Sequence, residues 1–240
     1  CSQFIYIADK NLVPFNELGF YDSAKFIKLP NGLPMLPVHL IERRGLKIPE
    51  DAFVLCLISR GLPEKGWEEA IRAVEMANRS SSRPVHLVIL GDGEERVRLE
   101  SSAPETVHFM GTVNNVRDYL TMSDAGLLPT YFKGESYPLV LIESILCSRP
   151  VITTNIGEIK NQISSEDGET AGVLLELVQG KPQVEALCAA ILSWINDPVQ
   201  YNHAKDIAIK LQRKFDINKI AKQYLEIYRK SIGTGGQSEP

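Results

Sequence analysis

From Phe53 onward, short apolar runs alternate with stretches whose apolar residues recur every three or four positions. Phe53-Val54-Leu55-Cys56-Leu57-Ile58 is apolar throughout, as expected of a parallel strand covered on both faces. Trp67, Ala70, Ile71, Val74 and Ala77 then fall on one face of a helix. Residues 85–90 predict a second strand, closed by Gly91-Asp92-Gly93 and followed by a polar helix from about Glu94. A third strand is predicted over Val107-His108-Phe109-Met110 and a short helix over 116–122. Strand 125–128 and helix 139–146 come next. Residues 150–154 and 171–175 predict the fifth and sixth strands, and 184–195 a further helix.

Strands alternating with crossover helices predict an α/β fold. Its core is a Rossmann-like doubly wound parallel sheet of about six strands with helices on both faces. Such sheets bind ligands beyond the carboxyl ends of their strands. Candidate functional residues therefore fall in 59–65, 91–93, 111–115, 129–137 and 155–158.

Residues 1–50 do not follow this repeat. Two strands are predicted there, at 4–8 and 25–29, the second running into Pro30-Asn31-Gly32. The segment reads as the tail of a preceding domain plus a linker. Residues 51–232 form the repeat domain, ending in a helix that Asp216 caps and that Ile217, Ile220, Ala221, Tyr224 and Tyr228 stripe. The Gly- and Ser-containing stretch 233–240 is expected to be a disordered tail.

A formal charge of −4 argues against a nucleic-acid binder. No apolar run approaches the roughly 20 residues that span a bilayer, and no basic-then-apolar leader opens the chain, so a cytoplasmic protein is expected. Cys1, Cys56, Cys147 and Cys188 contain no C-x-x-C pair and read as reduced thiols. His39, His86, His108 and His203 lack ligand spacing, and no Asp-x-Asp pair is placed to hold a divalent ion. Neither a metal nor another cofactor is expected. Residues 203–230 carry eight Lys/Arg against three Asp/Glu on an amphipathic pattern. A solvated helical face is favoured there over peripheral contact with an anionic membrane.

Three elements carry candidate chemistry. In Ser59-Arg60-Gly61-Leu62-Pro63-Glu64-Lys65-Gly66, two cations lie between a strand and a helix. A diphosphate needs such fixed positive charge, and the helix start adds free N–H donors. A solvated surface pair is the alternative. In the segment from Gly134 to Glu143, Pro138 suits the first helical position and leaves the N–H groups of Leu139 and Val140 free. Glu135 precedes that helix, whereas Glu143 lies more than a turn inside it on an apolar segment, where a carboxylate needs a partner. Vicinal sugar hydroxyls or a neighbouring Lys or Arg would each serve. Leu90-Gly91-Asp92-Gly93-Glu94-Glu95-Arg96 lacks the third glycine of a dinucleotide fingerprint and reads as a turn with positive φ.

In this order and spacing the elements resemble family 4 of the GT-B glycosyltransferases, over the carboxyl-terminal domain. The resemblance runs from KFIKLPNG (25–32) through SRGLPEKG (59–66), LVILGDGE (87–94), VHFMG (107–111) and SDAGLLP (123–129). The E-x(7)-E pair Glu135 and Glu143 and then Pro150-Val151-Ile152 complete it. It implies a retaining glycosyltransferase whose donor half this is, with the acceptor bound mainly by an amino-terminal domain. Arg60 and Lys65 would hold the donor diphosphate, Glu143 the ribose hydroxyls, and Glu135 the donor sugar. Val113, Asn114 and Val116 would lie near the base, and the N–H groups of Leu139 and Val140 near the sugar or phosphates. Glu135, Arg60 and Lys65 are the implied catalytic residues. The implied partners are a nucleotide-diphosphate sugar and a glycan or lipid-linked acceptor. Pro138, Ser148 and Glu158 depart from the family pattern, which leaves the sugar open. A non-catalytic nucleotide-sugar-binding module and a sugar-nucleotide epimerase are the alternative readings.

Overall fold

The computed structural model of the chain describes residues 3–233. Near its start, β1 (Phe4–Tyr6) and β2 (Phe26–Lys28) pair in parallel. A 3-10 turn over Asp9–Leu12 and the short helix α1 (Val13–Glu17) join them. Both strands fall inside the predicted ones but are shorter.

The apolar runs that follow become β3 (Phe53–Ile58), β4 (Val85–Leu90), β5 (Val107–Gly111), β6 (Ala125–Leu128), β7 (Val151–Thr154) and β8 (Gly172–Leu175). They form one wholly parallel sheet in the order β5-β4-β3-β6-β7-β8. The chain enters at the middle, steps outward through β4 and β5, then returns to the other side of β3. The winding reverses between β3 and β6, the place at which sheets of this kind bind ligands. Pro150 lacks an N–H to donate, which is why β7 begins one residue after it.

Helices α2 (Trp67–Asn78), α3 (Glu94–Leu99), α4 (Val116–Met122), α5 (Leu139–Leu146), α6 (Ile159–Ile163), α7 (Val184–Asn196) and α8 (Pro198–Leu211) surround the sheet. Alternate residues of β3 explain its unbroken apolar run. Phe53, Leu55 and Leu57 pack with Trp67 of α2 and Leu187 of α7 on one face. Val54 and Cys56 pack with Leu120 and Met122 of α4 on the other. Burying both faces removes the need for polar positions, as the sequence pattern implied.

α1, α6 and α8 escaped the sequence reading. The first and second are only five residues each. α8 did carry a signal: Asp197-Pro198 opens it, with the Asp197 carboxylate accepting from the N–H groups of Val199 at 3.0 Å and Gln200 at 3.1 Å. A 3-10 turn at Gln212–Phe215 buries Phe215 before α9 (Ile217–Gly233) begins. Asp216 caps α9 as expected, accepting from Asn218 N–H at 2.9 Å. The basic stretch is thus divided between two helices, and Lys214 donates inward to the carbonyls of Asn161 and Ser164. Among the described residues no helix is long and apolar enough to cross a membrane. Cys1 and the tail beyond Gly233 lie outside the described residues.

The opening segment is fastened to the repeat. Leu33 N–H donates to Phe215 O at 3.1 Å, and Arg43 reaches Ala52 O, Met122 O and the Asp124 carboxylate at 2.9–3.0 Å. Ile48 enters the same core as Val54. Glu158, buried at the start of α6, bonds both Lys28 and the Asp9 N–H at 2.8 Å.

Candidate functional site

The carboxyl ends of β3, β4 and β5 enclose an open cleft of about 270 Å³, with Arg60, Gly91, Asp92, Thr112, Val113 and Val116 among its lining. Arg60 follows β3 directly and is exposed; among the described residues its guanidinium has no ion-pair partner. Its loop rests on the Gly91-Asp92-Gly93 turn. Gly61 N–H donates to Asp92 O at 2.8 Å and Glu95 N–H to Gly61 O at 3.0 Å. The backbones come so close that the turn needs glycine at both of its ends. Gly91 (φ 135°) would place a Cβ 1.9 Å from Ser59 O, and Gly93 (φ 146°) one 2.5 Å from Gly61 O. The turn read from sequence has positive φ as expected, and it also shelves the Arg60 loop. We expect Gly91→Ala to cost on the order of 2–4 kcal/mol in a urea melt, from strained backbone plus the displaced loop. A loss below about 0.5 kcal/mol would show that the shelf yields freely.

Lys65 closes a 3-10 turn over Pro63–Lys65, and Gly66 (φ 75°) starts α2. A Cβ at Gly66 would lie 2.4 Å from Pro129 O, so this turn is pressed against the end of β6. That pressure turns Lys65 inward, leaving it 7% exposed. Its ammonium meets the Glu135 carboxylate at 2.5 Å and lies 4.7 Å from the centre of the Phe132 ring. The Thr130 hydroxyl approaches the same carboxylate oxygen at 3.4 Å. Sequence placed both residues near a donor; the structure also joins them to each other across 70 positions.

Pro138 precedes α5 with φ −63°, so the first N–H groups of the helix, those of Leu139 and Val140, have no intrahelical acceptor. The fully buried Gln162 fixes this end, donating to Pro138 O at 2.8 Å. One turn further in, Glu143 is half-buried, and among the described residues its carboxylate makes no hydrogen bond or salt bridge. The neighbouring-cation partner is therefore not realised as contact. Burial pushes the Glu143 carboxyl above the usual carboxylate range, and the Arg117 charge works against that rise without cancelling it. Asn114 is exposed and stands outside the cleft lining, whereas Val113 and Val116 line it. Asn115 is occupied in capping α4, with its oxygen accepting from Arg117 N–H. Asp92 and Thr112 also line the cleft; both fall in strand-end stretches that the sequence marks, though no motif gives them a role.

His86 and His108 stack on neighbouring strands with Nδ1 and Nε2 2.9 Å apart. Burial, then the neighbouring His86, lowers His108 to about 4, so the pair sits neutral at pH 7. Among the described residues no three His, Cys, Asp or Glu side chains are grouped to hold a metal ion.

A doubly wound sheet with Arg60 and Lys65 after β3, and with Glu135 and Glu143 before and within α5, has the layout of the carboxyl-terminal, Rossmann-like half of a GT-B architecture. The chain belongs to the family of glycosyl transferases group 1, whose profile matches residues 40–211. It is 31% identical over 199 residues to TuaC of Bacillus subtilis, a protein named as a teichuronic acid biosynthesis glycosyltransferase, covering 79% of this chain and 46% of TuaC. It is 24% identical over 241 residues to the D-inositol 3-phosphate glycosyltransferase of Kineococcus radiotolerans, covering 88% of this chain and 53% of that protein. In fold it is similar to Anabaena Alr3699/HepE in complex with UDP, with a TM-score of 0.77 at 19% identity over 96% of this chain and 64% of HepE. The chain spans about half the length of these two curated relatives.

Proposed function

We propose that the chain is the donor-binding half of a retaining glycosyltransferase, moving a sugar from a nucleotide-diphosphate sugar to a glycan or lipid-linked acceptor. The observation that carries the reading is the Arg60 guanidinium in the strand-end cleft, without an ion-pair partner among the described residues, with Lys65 following in the turn that leads into α2. The likeness to a UDP-bound fold supports a uridine nucleotide as the first donor to try.

As the bond between the anomeric carbon and the diphosphate oxygen breaks, negative charge collects on the leaving group. Arg60, Lys65 and the N–H groups of Leu139 and Val140 stabilise that charge without reorganising. The acceptor oxygen bonds to the anomeric carbon and gives up its proton. Val113 and Val116 offer apolar surface and backbone to the base, and Glu143 accepts from the ribose hydroxyls. Glu135 faces the donor sugar once Lys65 turns to the diphosphate.

Calorimetry with UDP and with uridine tests this directly. Arg60→Ala should weaken UDP by about 10- to 100-fold, the loss of one charge-assisted contact, and leave uridine unchanged. Equal weakening of both, or no UDP binding by the unaltered chain, would overturn the reading. Donor consumption by the whole protein separates the remaining classes. A glycosylated acceptor marks a transferase, an isomerised donor an epimerase, and intact donor a binding module.

A further inference from the structure

The loop that carries Glu135 is held from outside the α/β repeat. Lys10 lies in the Asp9–Leu12 turn just past β1, and two hydrogen bonds between Ala8 and Asn11 close that turn. Ala8 N–H donates to Asn11 Oδ1 at 3.0 Å, and Asn11 N–H to Ala8 O at 2.8 Å. From there the Lys10 ammonium spans 125 positions to donate to the carbonyl of Glu135, and it donates to that of Lys133 at 3.3 Å. The far side of the same loop is braced by the start of α6. Glu158 N–H donates to Ser136 O at 3.1 Å. A Cβ at Gly157 (φ 55°) would come within 2.8 Å of Glu135 O.

The two braces are joined. Asp9, next to Lys10, donates its N–H to Glu158 Oε1, while Lys28 bridges Asp9 Oδ1 and Glu158 Oε2, each at 2.8 Å. Burial would raise the Glu158 carboxyl, yet the bonds from Asp9, Lys28 and Asn161 hold it below the usual range. Glu158 is thus an ionised anchor.

We propose that Lys10 is a positioning residue for Glu135: together with the Asp9–Lys28–Glu158 bridge it latches the 132–136 loop, so that residues ahead of the repeat set where the Glu135 carboxylate stands. The inference rests on the donor reading only for what Glu135 then touches. An ammonium donating to two carbonyls of one loop fixes the backbone without competing for the carboxylate. The carboxylate stays free to exchange Lys65 for a ligand. Phe132, whose ring covers Lys65, is carried by the same loop, so the latch places both members of the ion pair.

Amide hydrogen exchange on the full chain tests the latch. Lys10→Met should raise exchange of the 132–136 amides about tenfold or more, with β3 and β4 unchanged, since local opening loses a charge-assisted restraint. Lys10→Arg, which keeps the charge and reach, should return exchange to within about threefold of the unaltered chain. Glu158→Gln leaves Lys10 in place and should loosen the same amides by a smaller factor, which guards against a folding failure of the first variant. With UDP and UDP-glucose as probes, Lys10→Met should bring the affinity ratio of the two toward one. Unchanged loop exchange in Lys10→Met, or a failure of Lys10→Arg to restore it, overturns the latch whatever the ligand. Raised exchange in a chain that binds neither nucleotide supports the latch and removes the donor reading instead.

Discussion

Lys65→Met is expected to destabilise the chain by about 2–4 kcal/mol, because it strands the Glu135 carboxylate in a pocket built for an ion pair. That side chain is 13% exposed and among the described residues would keep only the Thr130 hydroxyl, at 3.4 Å. The double variant Lys65→Met/Glu135→Gln removes the uncompensated charge and should recover at least half of the loss, read from urea melts. Affinity for UDP should behave differently, falling about 10- to 100-fold in both variants. Recovery of stability without recovery of affinity assigns Lys65 to the diphosphate. Recovery of both would confine the residue to holding the loop. Glu135→Gln alone should tighten UDP, since the ligand then no longer competes with a carboxylate for the ammonium.

Glu143→Gln should weaken UDP about 10- to 100-fold and leave 2′,3′-dideoxyuridine diphosphate nearly unchanged, because only the ribose hydroxyls lose a charged acceptor. The pH dependence has a definite sign. Burial raises the Glu143 carboxyl in the folded, unliganded chain, against the lowering pull of Arg117. Between the ordinary carboxylate value and the raised one, the folded chain holds more protons than the unfolded. This group therefore favours folding as pH falls through that window and opposes it above. A ligand whose hydroxyls donate to the carboxylate binds the ionised form. Its affinity should drop as pH falls through the raised value, while the dideoxy analogue shows no such slope. Parallel pH profiles for both nucleotides would return Glu143 to a packing role.

Residues 53–58 needed no structure to be read as a strand, since only a segment buried on both faces tolerates six successive apolar side chains. Residues 85–90 read the same way, with His86 alone interrupting the apolar run. Periodicity likewise placed α2 and α5, and the strand-then-helix alternation restricted the candidate site to loops past strand ends. Arg60 and Val113 lie in such loops and, with Val116 at the start of α4, line one cleft. Asn114, next to Val113 in the same loop, is exposed and outside that lining, because a residue's outward or inward turn in a loop depends on what packs beneath it.

Local pattern cannot say which strand lies beside which. That β6 returns to pair with β3 is decided by crossover handedness and by the competition of whole helices for two sheet faces. Contacts that depend on this return were therefore hidden. The Lys65–Glu135 pair needs the ends of β3 and β6 adjacent, and the Gly91 and Gly93 shelf needs β4 beside β3. Lys10 and Glu158 were hidden for a further reason. A lone surface-type lysine and a lone glutamate have no periodic signature, and only the docking of the opening segment gives Lys10 its loop carbonyls and Glu158 its bonds to Asp9 and Lys28. Sequence alone determined the class of the fold and the chemistry of its strand-end loops, because burial and backbone geometry are local demands on residue type. Tertiary structure decided which charges meet, because two side chains 70 or 125 positions apart become neighbours only through the order in which the strands assemble.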